Sequence, residues 1–416
     1  MTGLLSEAGF KIVDEMESDV NILNICALNG NSAPLNEIRK FSSQYPGKKL
    51  IVTGCITRDL IRPIRELNET ASLINTHNIY RIVEAVEESL QGNILEALAR
   101  EQRIKGSLPK IKTGKIIGII PIASGCADNC AYCSAKLIKG SIFSYPESYI
   151  IEEVGKAVSG GCKEIWLTSR DNGAYGLDNN ECKLPILLNS ILNKVAGNYK
   201  IRLGMINPRH VLAMIEDLIA VYKDERMFKF LHIPAESGNN EILGKMEHKY
   251  TVHDYKQIIE KFRRYIPDMT IASGMIVGFP TETELQFQDS LHLIQDVKFD
   301  VLNIARYSLR HDAVGAKMEG QVPVNIRNER SREMKELFER IALQKNRNWI
   351  GWEGRIIIDG KGKDNTMSGR NFAYKPVIIP GSCNLGDGVY VKILYATTYN
   401  LRGKIIEKPV EMGSEQ

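Results

Sequence analysis

The stretch Ile116-Ile-Gly-Ile-Ile-Pro-Ile-Ala123, followed at once by Ser124-Gly-Cys-Ala-Asp-Asn-Cys-Ala-Tyr-Cys133, decides how this chain is read. An apolar run of strand length ends at a loop whose cysteines are spaced C-x3-C-x2-C. Three thiolates on one tight loop can hold three irons of a 4Fe-4S cluster, leaving the fourth iron open to a small chelating ligand. A parallel barrel puts its chemistry at the C-terminal ends of its strands, which is where this loop falls. Two blander readings of Cys126, Cys130 and Cys133 carry less weight. A zinc site would want a fourth ligand nearby, and no His or Cys follows until Cys162. Loose structural thiols would need no such spacing.

Outward from the loop, residues 116–342 repeat strand and helix. The expected strands are Ile116–Ala123, Glu164–Thr168, Ile201–Ile206, Lys229–Pro234, Met269–Val277 and Val301–Tyr307, with helical patterns such as Ile150–Ser159 and Leu184–Val195 between them. Six such units predict a partial parallel (β/α)6 barrel. Residues 1–98 read as a separate α/β domain. Phe10–Val13, Val20–Ile25 and Lys49–Val52 are its expected strands, and Leu35–Tyr45 and Ile79–Leu90 its helices. Parallel sheets normally begin with a strand, and this one begins with a helix, Leu4–Gly9. Either the domain has lost its first strand or the start of the chain falls too late; in both cases a domain short of that strand is expected. Residues 99–115 form a basic linker with Arg100, Arg103, Lys105, Lys110, Lys112 and Lys115. After residue 342, short runs such as Arg355–Ile358, Pro376–Ile379 and Tyr390–Leu394 alternate with glycines and predict a small OB-like β-barrel.

Composition agrees with three domains. The 416 residues are 25% charged and 43% hydrophobic, which excludes a disordered, collagenous or disulfide-dense chain. Acidic residues Glu7, Asp14, Glu15, Glu17 and Asp19 argue against a leader peptide, and no apolar run is long enough to span a bilayer. A cytoplasmic protein with no membrane partner is expected. In that reducing compartment clustered cysteines are more often metal ligands than disulfides.

The motif C-x3-C-x-Y-C after a first barrel strand resembles the signature of the radical S-adenosylmethionine (SAM) superfamily. Further stretches are similar to its methylthiotransferase family: Gly161-Cys-Lys-Glu-Ile-Trp-Leu-Thr-Ser169, Gly173-Ala-Tyr-Gly176, Arg202-Leu-Gly-Met-Ile-Asn-Pro208, Ser237-Gly238 and Ile276-Val-Gly-Phe-Pro-Thr-Glu-Thr283. Gly369-Arg-Asn-Phe-Ala-Tyr-Lys-Pro-Val377 resembles a TRAM domain. Together they cover almost the whole chain and most resemble the archaeal and eukaryotic branch that acts on threonylcarbamoyladenosine in tRNA. The resemblance implies an N-terminal flavodoxin-like domain at 1–98, a radical SAM core at 112–342 and a TRAM RNA-binding domain at 343–408. It implies a barrel 4Fe-4S cluster on Cys126, Cys130 and Cys133, with SAM on the open iron. One SAM would methylate cluster-bound sulfur. A second would yield the radical that abstracts hydrogen from carbon 2 of the modified adenine at tRNA position 37, where CH3S replaces it. An electron donor and a sulfur source, both unidentified, would complete the partners.

The same family carries three N-terminal cysteines for a second 4Fe-4S cluster. Cys26 in Asn24-Ile-Cys-Ala and Cys55 in Thr53-Gly-Cys-Ile match two of them. The first would follow the strand that is not found here, so this ligand set is incomplete. Cys162, Cys182 and Cys383 match no ligand position. Other departures are Glu236 for a glutamine, Ser273-Gly274 for Thr-Asp, Lys139 for an arginine and His311-Asp-Ala313 for Pro-Gly-Thr. They motivate an alternative expectation, an RNA-binding radical SAM relative with impaired or no methylthiolation.

Expected SAM contacts are Tyr132 between two ligands, Glu164 as the acidic partner of the methionine amino group, Ser237, Ile276 and Gly278. Each could equally be a packing residue. For RNA, the last module interleaves cations with aromatics, as phosphate and base contacts require. Arg370, Asn371 and Lys375 are the expected contacts, since they lie in its most distinctive stretch. Charge supports the location. Residues 343–416 hold 11 Lys+Arg and 7 Asp+Glu, so the whole net charge of +4 falls there.

Overall fold

The computed structural model describes residues 1–407 apart from 28–29, 107, 110–115 and 311–312. Lys110, Lys112 and Lys115 of the basic linker, Lys408, and the His311-Asp312 departure lie outside the described residues. The chain forms two compact units. One comprises Met1–Thr113, Ser124–Tyr145 and Ser308–Lys317; the other comprises Gly114–Ala123, Pro146–Tyr307 and Met318–Gln416.

The first unit is built on four parallel strands, β1 (Val20–Cys26), β2 (Lys49–Cys55), β3 (Ser72–Asn75) and β4 (Glu96–Ala97), in that order. All residues of β2 after Lys49 are buried, as a strand covered on both faces requires. Ile38 and Phe41 of helix Ser32–Gln44, with Leu60 and Ile64 of helix Arg58–Leu67, pack against one set of strand residues. Leu5 of helix Thr2–Glu7 and Ile82, Ala85 and Val86 of helix Ile82–Gln91 pack against the other. This is the doubly wound arrangement expected. Phe10–Val13 is the exception, because it forms no strand. Phe10 packs on the Leu5 cluster instead, and residues 10–13 line a cavity of about 380 Å³ beside β1. The cysteine loop packs within this unit too: Ile138 joins the core around Ile38 and Leu60.

In the second unit come β5 (Ile117–Pro121), β6 (Glu164–Thr168), β7 (Lys200–Leu203), β8 (Phe230–His232), β9 (Thr270–Val277) and β10 (Val301–Arg306). They form two parallel three-stranded sheets, β5-β6-β7 and β8-β9-β10. Phe228 N–H donating to Ile201 O and Ile206 N–H to His232 O, both at 2.9 Å, join β7 to β8. Six parallel strands thus follow in chain order, with helices such as Glu147–Ser159 and Pro208–Tyr222 between them. Helix starts are locally encoded. Thr251 and Asp254, and Thr283 and Gln286, form reciprocal capping boxes.

Five further strands close a small barrel: β11 (Glu353–Lys361), β12 (Thr366–Arg370), β13 (Pro376–Pro380), β14 (Gly388–Ala396) and β15 (Leu401–Ile405), arranged β11-β12-β13-β15-β14. Ile356, Ile358, Val377, Ile379, Val391, Ile393 and Leu401 fill it. The turn between β12 and β13 seats this barrel on the starts of the parallel strands. Tyr374, held at φ +61°, puts its ring 4.8 Å from that of Phe228 and 5.0 Å from that of Phe230. Lys229 N–H donates to Phe372 O at 2.8 Å. Truncating a buried aromatic costs about 3–5 kcal/mol. Tyr374→Ala should therefore lower the urea midpoint of the second unit markedly, and an unchanged midpoint would show that the turn does not seat the barrel.

Candidate functional site

Cys126, Cys130 and Cys133 form no disulfide and are partly exposed. Their loop is pinned by backbone bonds. Cys126 N–H donates to Gly140 O at 3.1 Å and Cys133 N–H to Cys130 O at 2.9 Å. Gly125, at φ +74°, lies so close to Ser141 O that a Cβ would sit 1.9 Å from it; only glycine allows this approach. From the other side, Gly315 N–H donates to Ala131 O (2.7 Å) and Arg310 Nη1 to Tyr132 O (3.0 Å). Ala135 N–H points at Cys133 Sγ from 3.3 Å, the kind of bond that supports a cluster thiolate. The three sulfurs and their rigid loop fit a 4Fe-4S cluster. Tyr132 lies between two of them, its backbone held by Arg310.

The same unit brings Cys26 and Cys55 together. They are register partners at the ends of β1 and β2, so their Cα atoms are about 4.8 Å apart. Cys55 is buried and Cys26 exposed. Burial pushes the Cys55 thiol up, and the Lys139 ammonium opposes this. Lys139 also donates to Thr76 Oγ1 at 2.9 Å. The residue flagged as a substitute for an arginine thus faces the Cys26–Cys55 pair. Burial and the like charge of Lys139 push Lys105 down to about 8.

At the C-terminal ends of the parallel strands, Ser237 follows β8, while Ile276 and Gly278 close β9. Ile276 N–H donates to Glu236 O (2.9 Å), and Ser237 Oγ accepts from Asn239 N–H (3.2 Å). Gly278, at φ +71°, leaves a Cβ position 2.2 Å from Arg327 Cγ. Its need for glycine comes from the chain itself, without a ligand. Ser273 spends its hydroxyl on Ala235 N–H and Tyr255 OH.

Two features at this end escaped sequence reading. Buried Asp171, just past β6, lies 3.3 Å from buried His210, past β7; its Oδ1 accepts from Gly173 and Asn207 N–H. Ser169 Oγ and Asn172 Oδ1 are buried with no hydrogen-bond partner among the described residues, while Asp171 Oδ2 and His210 Nε2 face each other at 3.3 Å. Buried polar atoms left this way suit a polar ligand such as SAM. The other feature is buried Arg330, 2.8 Å from Glu282 Oε2, which also accepts from Gly278 N–H. The Asn207-Pro208 helix start was the available signal for the first. Arg330, in a polar helix, offered none.

Glu164 is corrected. It opens β6, paired with Ile117 at the start of β5, so it lies at the strand ends opposite those that lead to the cysteine loop. It cannot play the expected SAM role from there. Its Oε2 accepts from Trp166 Nε1 at 3.1 Å, while Oε1 has no partner among the described residues. Asn371 and Lys375 are corrected as RNA contacts for a similar reason: both are buried. Asn371 Oδ1 accepts from Ala373 and Lys375 N–H, and Lys375 Nζ pairs with Asp300 at 2.8 Å. Arg370 remains partly exposed, paired with Asp359 at 2.9 Å and stacked over Tyr374 at 4.7 Å.

Residues 120–294 match the Radical SAM superfamily model and residues 350–406 the TRAM domain. The chain is 32% identical to "Threonylcarbamoyladenosine tRNA methylthiotransferase" of Drosophila melanogaster over 98% of its own length and 74% of that protein. Its identity to the Homo sapiens protein of that name is 30%, over 97% and 70%. It is 35% identical to "Probable threonylcarbamoyladenosine tRNA methylthiotransferase" of Pyrococcus horikoshii, over 98% and 95%. This chain belongs to the threonylcarbamoyladenosine tRNA methylthiotransferase family. As a radical SAM member of that family it uses a 4Fe-4S cluster and SAM. Within the family fold, Glu164 belongs to the base of the barrel, where the TRAM domain seats.

Burial pushes the Glu164 carboxyl up to about 7, opposed by the Trp166 N–H. The folded state therefore keeps a proton that the unfolded chain releases near pH 4.5. Stability from this group is full below that pH and is lost as pH rises to about 7. Glu164→Gln should remove the loss, raising stability at pH 8 by on the order of 2–3 kcal/mol while changing little at pH 4. Urea midpoints at the two pH values test this; equal effects at both would refute it.

Proposed function

We propose that this chain converts N6-threonylcarbamoyladenosine at tRNA position 37 to its 2-methylthio form in the cytoplasm. The observation that carries the reading is near full-length similarity to proteins named for this activity, in a chain whose Cys126–Cys133 loop is shaped for a cluster. When bound, the cluster and SAM supply one-electron cleavage of a sulfonium and so a radical able to attack an unreactive C–H bond.

The chain's own residues do the placing. Cys126, Cys130 and Cys133 hold the cluster, and Gly125 and Arg310 keep their loop in register. Ser169, Asp171, Asn172 and His210 offer polar atoms to a ligand at the strand ends of the second unit. Cys26 and Cys55 give adjacent thiolates to a second 4Fe-4S cluster, with the Lys139 ammonium offsetting their charge. An electron donor and a sulfur source act from outside the chain. No described helix is long and apolar enough to cross a membrane.

The tRNA face moves from the buried turn to the outer side of β14 and β15. Lys392 stands opposite Lys404, and Tyr395 opposite Arg402. Tyr395 and Tyr399 are each 59% exposed. Cations beside exposed rings take phosphates and unstacked bases. Impaired methylthiolation, the alternative reading, is not favoured by full-length similarity to the named enzymes.

Mass spectrometry of tRNA nucleosides from a deletion strain tests the activity. The 2-methylthio nucleoside should return with the intact gene and stay absent with Cys130→Ala; its presence in the deletion strain would refute the reading. Iron content tests the second cluster. After anaerobic reconstitution about eight irons per chain are expected, falling to about four in Cys26→Ala/Cys55→Ala. Four in the unaltered chain would remove that cluster from the account.

A further inference from the structure

The base of the parallel barrel holds a charge cluster that the proposed chemistry does not use. Asp300, just before β10, is buried. Its Oδ1 meets Lys375 Nζ at 2.8 Å, and its Oδ2 meets Lys345 Nζ at 2.6 Å and Ile271 N–H at 3.0 Å. Arg263 Nη2 lies 4.0 Å from Oδ2. One carboxylate thus faces three cations.

Seating the small barrel needs only one of these pairs. The other bonds go to neutral acceptors: Lys375 to Asn346 Oδ1 (2.9 Å), Lys345 to Lys298 O (2.9 Å), and Arg263 to Val297 O and Lys298 O (2.5 and 3.0 Å). Carbonyl groups satisfy donors but leave charge in excess, and crowding like charges away from water is unfavourable unless an anion joins them. The cost is visible in Lys345, which burial pushes down to about 8 despite its Asp300 partner. The three cations border an open cavity of about 260 Å³, whose other walls include Trp349, Asn348 and Asp268. Even counting the exposed Asp268, positive charge prevails.

We propose that this cavity is a phosphate pocket, occupied by a backbone phosphate of the bound RNA, with Arg263 as the principal contact and Trp349 as an adjacent ring for its nucleotide. The assignment rests on the tRNA reading above. Arg263 is 32% exposed at the cavity mouth, and its planar fork of donors matches a phosphate; a ring beside a phosphate site is the pattern by which single-stranded nucleotides are held.

The test is equilibrium binding of an unmodified tRNA transcript to the full-length protein across a salt series. Arg263→Gln should weaken binding several-fold at low salt and reduce the slope of log K against log[salt] by about 0.7–0.9, the value for one lost phosphate contact. Arg263→Lys should restore much of the slope, which a purely structural clamp would not require. An unchanged slope in Arg263→Gln, with unaltered thermal midpoint, overturns the proposal. Inorganic phosphate provides the second arm. If it raises the thermal midpoint of the unaltered protein but not of Arg263→Gln, while the tRNA slope is the same in both, the pocket takes a free anion and the RNA assignment is overturned. Failure of the unaltered protein to bind tRNA at any salt would instead strike the functional reading itself.

Discussion

Strand direction is the constraint on which the rest depends. Six parallel strands give the second unit two unlike ends. The C-terminal ends carry Asp171, His210, Ser237 and the Ile276–Thr283 motif, with unsatisfied polar atoms that suit a ligand. The starts carry Glu164, Phe228, Asp268 and Asp300, and onto them the small barrel seats through Tyr374 and Lys375. Chemistry and docking are kept apart because hydrogen bonding between parallel strands leaves no other way to arrange the loops.

Much of this was legible in the sequence. The cysteine loop announced itself by spacing, since few structural needs put three thiols in eight residues after an apolar run. The strands of the barrel were legible because parallel strands buried on both faces are continuous apolar runs, and their bounds shifted by at most three residues. What failed was facing and depth. Glu164 looked like a strand-end acid but opens its strand, and five residues of Glu-Ile-Trp-Leu-Thr carry no mark of which end is which. Lys375 and Asn371 looked like surface contacts because polar and charged residues usually are. Asp300, 75 positions away, makes the buried lysine tolerable, with Asn346 as a second partner.

Two readings changed meaning as a result. The excess charge of the last module is real, but part of it is turned inward, toward Asp300, while Lys392, Arg402 and Lys404 face outward. Lys139, which stands where the family has an arginine, accompanies Cys55. Its place six residues after Cys133 ties the two cysteine sites to one stretch of chain within the first unit. Phe10–Val13 shows the reverse error: strand-like composition yielded to packing of Phe10 on the Leu5 cluster.

The central claim is that Cys126, Cys130 and Cys133 form the SAM-responsive cluster site. Electron paramagnetic resonance of the reduced, reconstituted protein tests it most directly, with and without SAM. The account predicts that SAM alters the cluster signal in the unaltered protein and in Cys26→Ala/Cys55→Ala, and that the response vanishes in Cys126→Ala/Cys130→Ala/Cys133→Ala. A SAM-responsive signal that survives loss of those three cysteines would contradict it.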